Sequence, residues 1–168
     1  MKSKPSRLMM VLALAGLAPG CFVGDAPLSP ATTARADAAL LGTWRCVSGG
    51  SDDNTARIRV VRAGASGYDV EFSEAGKAKP DRYRGHGSTI GGRTLLSLQE
   101  LRDGKPTEGW VFVRYDLPRA DLLDVRVVSD RNFKDTKATA KARAALEKSI
   151  DDPTLYEDFC ACVRLKDK

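Results

Sequence analysis

Leu40-Leu41-Gly42-Thr43-Trp44-Arg45-Cys46-Val47 decides how this chain is read. Two leucines and a glycine lead into an alternating run headed by Trp44, one of two tryptophans in the sequence. Alternation with a period of two marks a strand with one buried face. Downstream, turn residues recur at about ten-residue intervals, the spacing of antiparallel strands joined by hairpins.

Thr43–Ser48 is therefore the first of eight expected strands, ended by the turn residues Gly49 to Asn54. Arg57–Arg62 is the second, with Ile58 and Val60 on one face and Arg57 and Arg59 on the other. Tyr68–Ser73 turns Tyr68, Val70 and Phe72 inward, and Asp69 and Glu71 outward toward those arginines. Asp81–Thr89 is polar and carries Gly85 and Gly87, where a bend or bulge fits. Arg93–Glu100 follows the Gly91-Gly92 turn, and Trp110–Asp116 and Asp121–Ser129 complete seven. Thr136–Ile150 has the composition of a helix, with Ala142, Leu146 and Ile150 in its apolar stripe. Phe159–Leu165 closes the chain, with Phe159, Ala161 and Val163 on one face. The expected fold is mainly β: a small antiparallel up-and-down barrel of eight strands, with one α-helix before the last strand. Closure leaves no open edge to aggregate.

At 168 residues, 42% hydrophobic and 29% charged, the chain suits one globular domain rather than a disordered or multi-span membrane protein. The net charge of +5 points to no nucleic-acid partner. Lys2, Lys4 and Arg7 sit in an acid-free N-terminus; without them 24 basic residues face 22 acidic ones, and the remaining arginines are interspersed with acids.

The N-terminus is a targeting segment. Its basic head, the apolar run Leu8 to Leu17 and the closing Pro19-Gly20 have the order of a secretory signal peptide, and the run is too short to span a bilayer. Residues 1–20 are expected to be that signal. Residues 21–38, with two prolines and no periodicity, are expected to be an anchor cysteine and flexible linker, and the folded domain to occupy 39–168.

Gly20-Cys21 after the apolar run resembles the lipobox of bacterial lipoproteins. The resemblance implies that Cys21 is lipidated (palmitate), becomes the first mature residue and anchors the protein to a membrane of the cell envelope. Gly42-Thr43-Trp44 resembles the Gly-x-Trp motif of the lipocalins, in whose first strand the tryptophan packs across the closed end of the barrel. That resemblance implies a lipocalin-like barrel able to hold a small hydrophobic ligand. Trp44, Tyr68, Phe72, Tyr83, Trp110 and Phe112 are the candidate pocket residues.

Beyond Cys21 the cysteines are Cys46, Cys160 and Cys162. Cys160 and Cys162 in one strand would lie roughly 6.6 Å apart, near the upper limit for a disulfide. A bond from Cys46 to either is more comfortable and would join the first strand to the last, contributing on the order of 4 kcal/mol. One histidine and no second close-set cysteine pair make a poor ligand set, so no metal and no cofactor are expected. His86, with Ser88 two residues on and Asp81 nearby, lacks a nucleophile turn or oxyanion site and is expected at the surface or barrel mouth. Arg82 and Arg84 are expected to point outward, since Tyr83 is the natural core residue. The expected protein is thus not an enzyme. It is an exported lipoprotein holding an apolar or amphipathic ligand; the alternative is a structural or protein-interaction module with a filled barrel.

Overall fold

A computed structural model describes residues 20–47, 55–134 and 136–166. The signal-peptide reading, apart from Gly20, and the turn at 49–54 fall outside the described residues. Among these are strands β1 (Val23–Gly24), β2 (Gly42–Val47), β3 (Thr55–Ala63), β4 (Gly67–Glu74), β5 (Asp81–Ile90), β6 (Arg93–Arg102), β7 (Lys105–Pro106), β8 (Trp110–Arg119), β9 (Leu122–Val128) and β10 (Tyr156–Arg164). Helix α1 (Thr139–Ser149) precedes β10. Strands β2 to β6 pair in succession, β6 pairs with β8, and β8, β9 and β10 lead back to β2. All pairings are antiparallel, so eight strands close into a barrel with a single α-helix before the last. Two-residue β1 and β7 are additions at its rim.

One end of the barrel is plugged by the stretch that opened the sequence. Trp44 is fully buried, and its indole N–H donates to the Leu40 carbonyl at 3.0 Å. The Arg164 guanidinium lies 4.0 Å from the centre of its ring and donates to the carbonyls of Leu41 and Ala39. Gly42 belongs between them: its φ of 127° disfavours any side chain, and a Cβ there would meet the guanidinium at 2.8 Å.

The outward face of β3, β4 and β5 is a charge lattice. Glu71 pairs with Arg59 at 3.6 Å and Arg82 at 3.1 Å, and Asp69 pairs with Arg84 at 2.7 Å. Such exposed pairs fix cross-strand register more than they add stability.

Across the barrel, parts of β5, β6, β8 and β9 are covered on the outer face as well as the inner one. The outer side chains Ile90, Leu95, Phe112 and Val128 form a second core with Ala142 and Leu146 of α1 and with Ile150, which follows it. The helix is only weakly amphipathic, and its N-cap residue Ala138 makes no side-chain capping bond. Both of its ends are finished by other parts of the fold. At the N-terminus the Asp25 carboxylate accepts from the Thr139 N–H at 3.0 Å, a bond that holds Asp25 below the usual carboxylate range. At the other end Arg114 and Tyr156 donate to the Ile150 carbonyl at 2.9 and 2.7 Å. Propensity favours a helix here, and docking stabilises a segment of eleven residues that is too short to hold one alone.

Two expectations are corrected. Residues 21–38 are not a flexible linker, and the folded unit does not start at Ala39. Phe22 and Leu28 are each 2% exposed within the outer core, and β1 pairs with the start of β8. Phe22 N–H donates to the Val128 carbonyl at 2.8 Å, and Leu28 N–H to Ser97 Oγ at 3.0 Å. Near the plugged end, Asp37 accepts from the Tyr115 hydroxyl at 3.0 Å, and its N–H donates to Tyr68. The segment is a strap whose isolated apolar residues fill gaps that the helix leaves uncovered. In β10, the face carrying Ala161 and Val163 is the outer one. A register shift between Asp158 and Cys160 turns Cys160 and Cys162 inward, while Phe159 also reaches the barrel interior.

Candidate ligand-binding cavity

The barrel is hollow. A cavity of about 390 Å³ runs from Leu40 above the tryptophan plug to the end bearing the β4–β5 connection. Its walls are Ile58 and Val60 of β3, Val70 and Phe72 of β4, Leu96 and Leu98 of β6, Val111 and Val113 of β8, and Leu123, Val125 and Val127 of β9. Eight-stranded barrels can be filled by large side chains; this one is lined mostly by valine, isoleucine and leucine, which leave the axis empty.

Charged groups are confined to the mouth. Lys77 Nζ lies 2.6 Å from Glu74 Oε2 and 3.0 Å from Asp81 Oδ2, and these hydrogen bonds hold the ammonium well above its ordinary range. Tyr83 faces the cavity just inside; burial, reinforced by the Asp81 and Glu100 carboxylates, pushes its phenol up to about 12. Deeper in, Tyr115 is also raised by burial and turns its hydroxyl to Asp37. Both phenols stay protonated at neutral pH.

Of the candidate pocket residues, Phe72 and Tyr83 line the cavity. Trp44 and Tyr68 are fully buried at the plugged end instead. Trp110 and Phe112 belong to the outer core, because the inward parity of β8 is Val111, Val113 and Tyr115. The sequence signal that identifies the real wall was the run of valines and leucines at alternate positions, which lacks the bulk that draws attention to aromatics.

Cys21 also lines the cavity, half-buried, bridged to Ser129. Burial and the nearby Glu157 and Asp130 carboxylates push its thiol up to about 11. Cys46 and Cys162 are direct cross-strand partners and form the disulfide between the first and last barrel strands. Cys160 is a free buried thiol 3.6 Å from Cys162 Sγ, pushed up to about 12 by burial. The three sulfurs lie within 4.8 Å of one another, but with two of them bonded together they offer no three-thiolate ligand set.

His86 is not at the surface or the mouth. It is 5% exposed beneath the strap, with Nε2 2.7 Å from the Ser29 carbonyl oxygen and its ring against Trp110. Ser88 bonds to the Ser29 hydroxyl at 2.7 Å rather than to the imidazole. Among the described residues no carboxylate is bonded to His86, so a proton relay to Ser88 is not assembled.

No family model, curated protein or solved structure matches the chain. The cavity therefore speaks through its own chemistry. It can exclude water from an apolar molecule, and it presents polar contacts only at its opening.

The two free thiols give a pH-dependent test. In chain whose Cys21 is unacylated, labelling by iodoacetamide is expected to be slow at pH 7 and to rise about tenfold per pH unit up to pH 10, because thiolate is the reactive form. Cys160, more buried, is expected to label only on unfolding. Peptide mass mapping after timed alkylation distinguishes the two; rapid labelling of Cys160 in folded protein would contradict its burial.

Proposed function

We infer that the protein is an exported, membrane-anchored lipoprotein that binds a small apolar or amphipathic molecule in a lipocalin-like barrel and catalyses no reaction. The observation that carries this reading is the hollow, hydrocarbon-lined barrel interior, about 390 Å³ and open at one end. A volume in the range of small-molecule sites, left unfilled despite the usual gain from tight core packing, favours a binding role over a filled structural barrel. Export and anchoring rest on the signal-like residues 1–20 and the lipobox-like Gly20-Cys21.

Replacing Val125 with Phe projects a ring into the empty axis. Binding of an apolar fluorescent probe is expected to weaken by at least roughly tenfold, while the thermal midpoint stays within a few degrees or rises. Probe affinity that is unchanged by this substitution would place the ligand elsewhere. Native mass spectrometry after gentle extraction gives the direct test, since a protein recovered always empty would argue against a carrier.

A further inference from the structure

We propose that the cavity takes a single-chain amphiphile whose polar head is an ammonium or a hydroxyl, and that it discriminates against a carboxylate head. This rests on the ligand-binding reading above and narrows it to a chemical class.

The tail follows from the interior. About 390 Å³ is room for roughly a dozen methylene-sized groups, enough for one alkyl chain but not two. Between the walls there is no charge to greet a polar group, so the head must sit at an outlet.

We take the open end and a seam in the wall as two outlets for the head, and among the described residues the charged side chains lining each are net negative. At the mouth, Glu74 and Asp81 share Lys77, which leaves one negative charge in excess. Lys79, on the same β4–β5 connection, does not line the cavity. The second outlet is a seam in the wall. Pairing between β6 and β8 stops at Leu98 and Val111; beyond it β6 turns to pair with β7, and β8 pairs with β1. A niche of about 240 Å³ opens there, sharing Tyr83, Leu98 and Val111 with the main cavity. Its charged groups are Glu100, Arg102 and Glu108, and Arg102 is already held by Glu100 through two hydrogen bonds at 3.2 and 3.0 Å.

Tyr83 stands where the two spaces meet, and its hydroxyl has no hydrogen-bond partner among the described residues. Its oxygen can accept from an ammonium, and its O–H can donate to an alcohol. A carboxylate could take that donor too, but at either outlet it would leave water beside an uncompensated negative charge, and the cations lining them among the described residues, Lys77 and Arg102, are already paired. Charge of the same sign at a partly desolvated site costs affinity; charge of the opposite sign adds it.

The test is displacement of an apolar fluorescent probe from the purified protein by dodecylamine, dodecanol and dodecanoate, at neutral pH, low salt and below micelle formation. The amine and the alcohol are expected to compete at least roughly tenfold better than dodecanoate. Lys77→Gln should widen that gap. The double substitution Glu74→Gln with Asp81→Asn frees the ammonium at the mouth and should narrow or invert it. These side chains are 41%, 43% and 25% exposed, so the fold is expected to survive their exchange, which circular dichroism checks. Dodecanoate binding as tightly as dodecylamine, or a ratio unmoved by either variant, overturns the head-group assignment alone. Failure of the probe and all three amphiphiles to bind overturns the ligand-binding reading itself.

Discussion

A chain beginning at Ala39 is expected to lose most of its stability and to be recovered largely insoluble. Phe22 and Leu28 together contribute roughly 3–6 kcal/mol of burial, against a total stability of about 5–15 kcal/mol for a domain. Removing them also uncovers Leu95 and Phe112 on the outer face of the barrel, strips the helix of its Asp25 cap, and deprives Tyr68 and Tyr115 of Asp37. Thermal melts of chains starting at residue 21 and residue 39 check this. Midpoints within a few degrees of each other would show the strap to be dispensable.

Cys46→Ser is expected to cost on the order of 4 kcal/mol, or roughly 10 °C in the thermal midpoint. The bond it removes closes a sequence separation of 116 residues and ties the barrel's first strand to its last. Cys162→Ser should cost less, because Cys160 lies in the same cluster of sulfurs and can take over as the partner of Cys46. Cys46→Ser leaves no sulfur on β2, so no cross-strand bond can replace the lost one. Non-reducing peptide mapping of the two variants, alongside their melting curves, decides the matter. Equal losses, with no Cys46–Cys160 bond in the second variant, would refute the substitution.

The barrel was legible because its strands alternate on the side that faces water. Arg57, Arg59, Asp69 and Glu71 mark an outer face unambiguously, and β3 and β4 fall where that alternation puts them. Where both faces are apolar the period carries no direction. In β8, Trp110 and Phe112 compete with Val111 and Val113 for the interior, and nothing local says that a helix will cover the aromatic side. The strap was illegible for a related reason. Phe22 and Leu28 are single anchors in extended chain, held by partners on β9 and β6 that are distant in sequence. The hollow interior could be suspected only from the shortness of residues such as Val70, Val113 and Val125, and the volume they leave depends on barrel closure. The cysteine pairing needed the register shift in β10, which sequence does not announce.

The docking of the strap bears on how an acylated protein would stand in the cell. Cys21 lies at the cavity rim, and from Phe22 onward the chain is stitched to β9 and β8 without slack. An anchor there has no leash. The barrel would be moored flush to the leaflet with its opening turned toward the lipid, so a hydrophobic passenger could pass between bilayer and barrel without crossing open water.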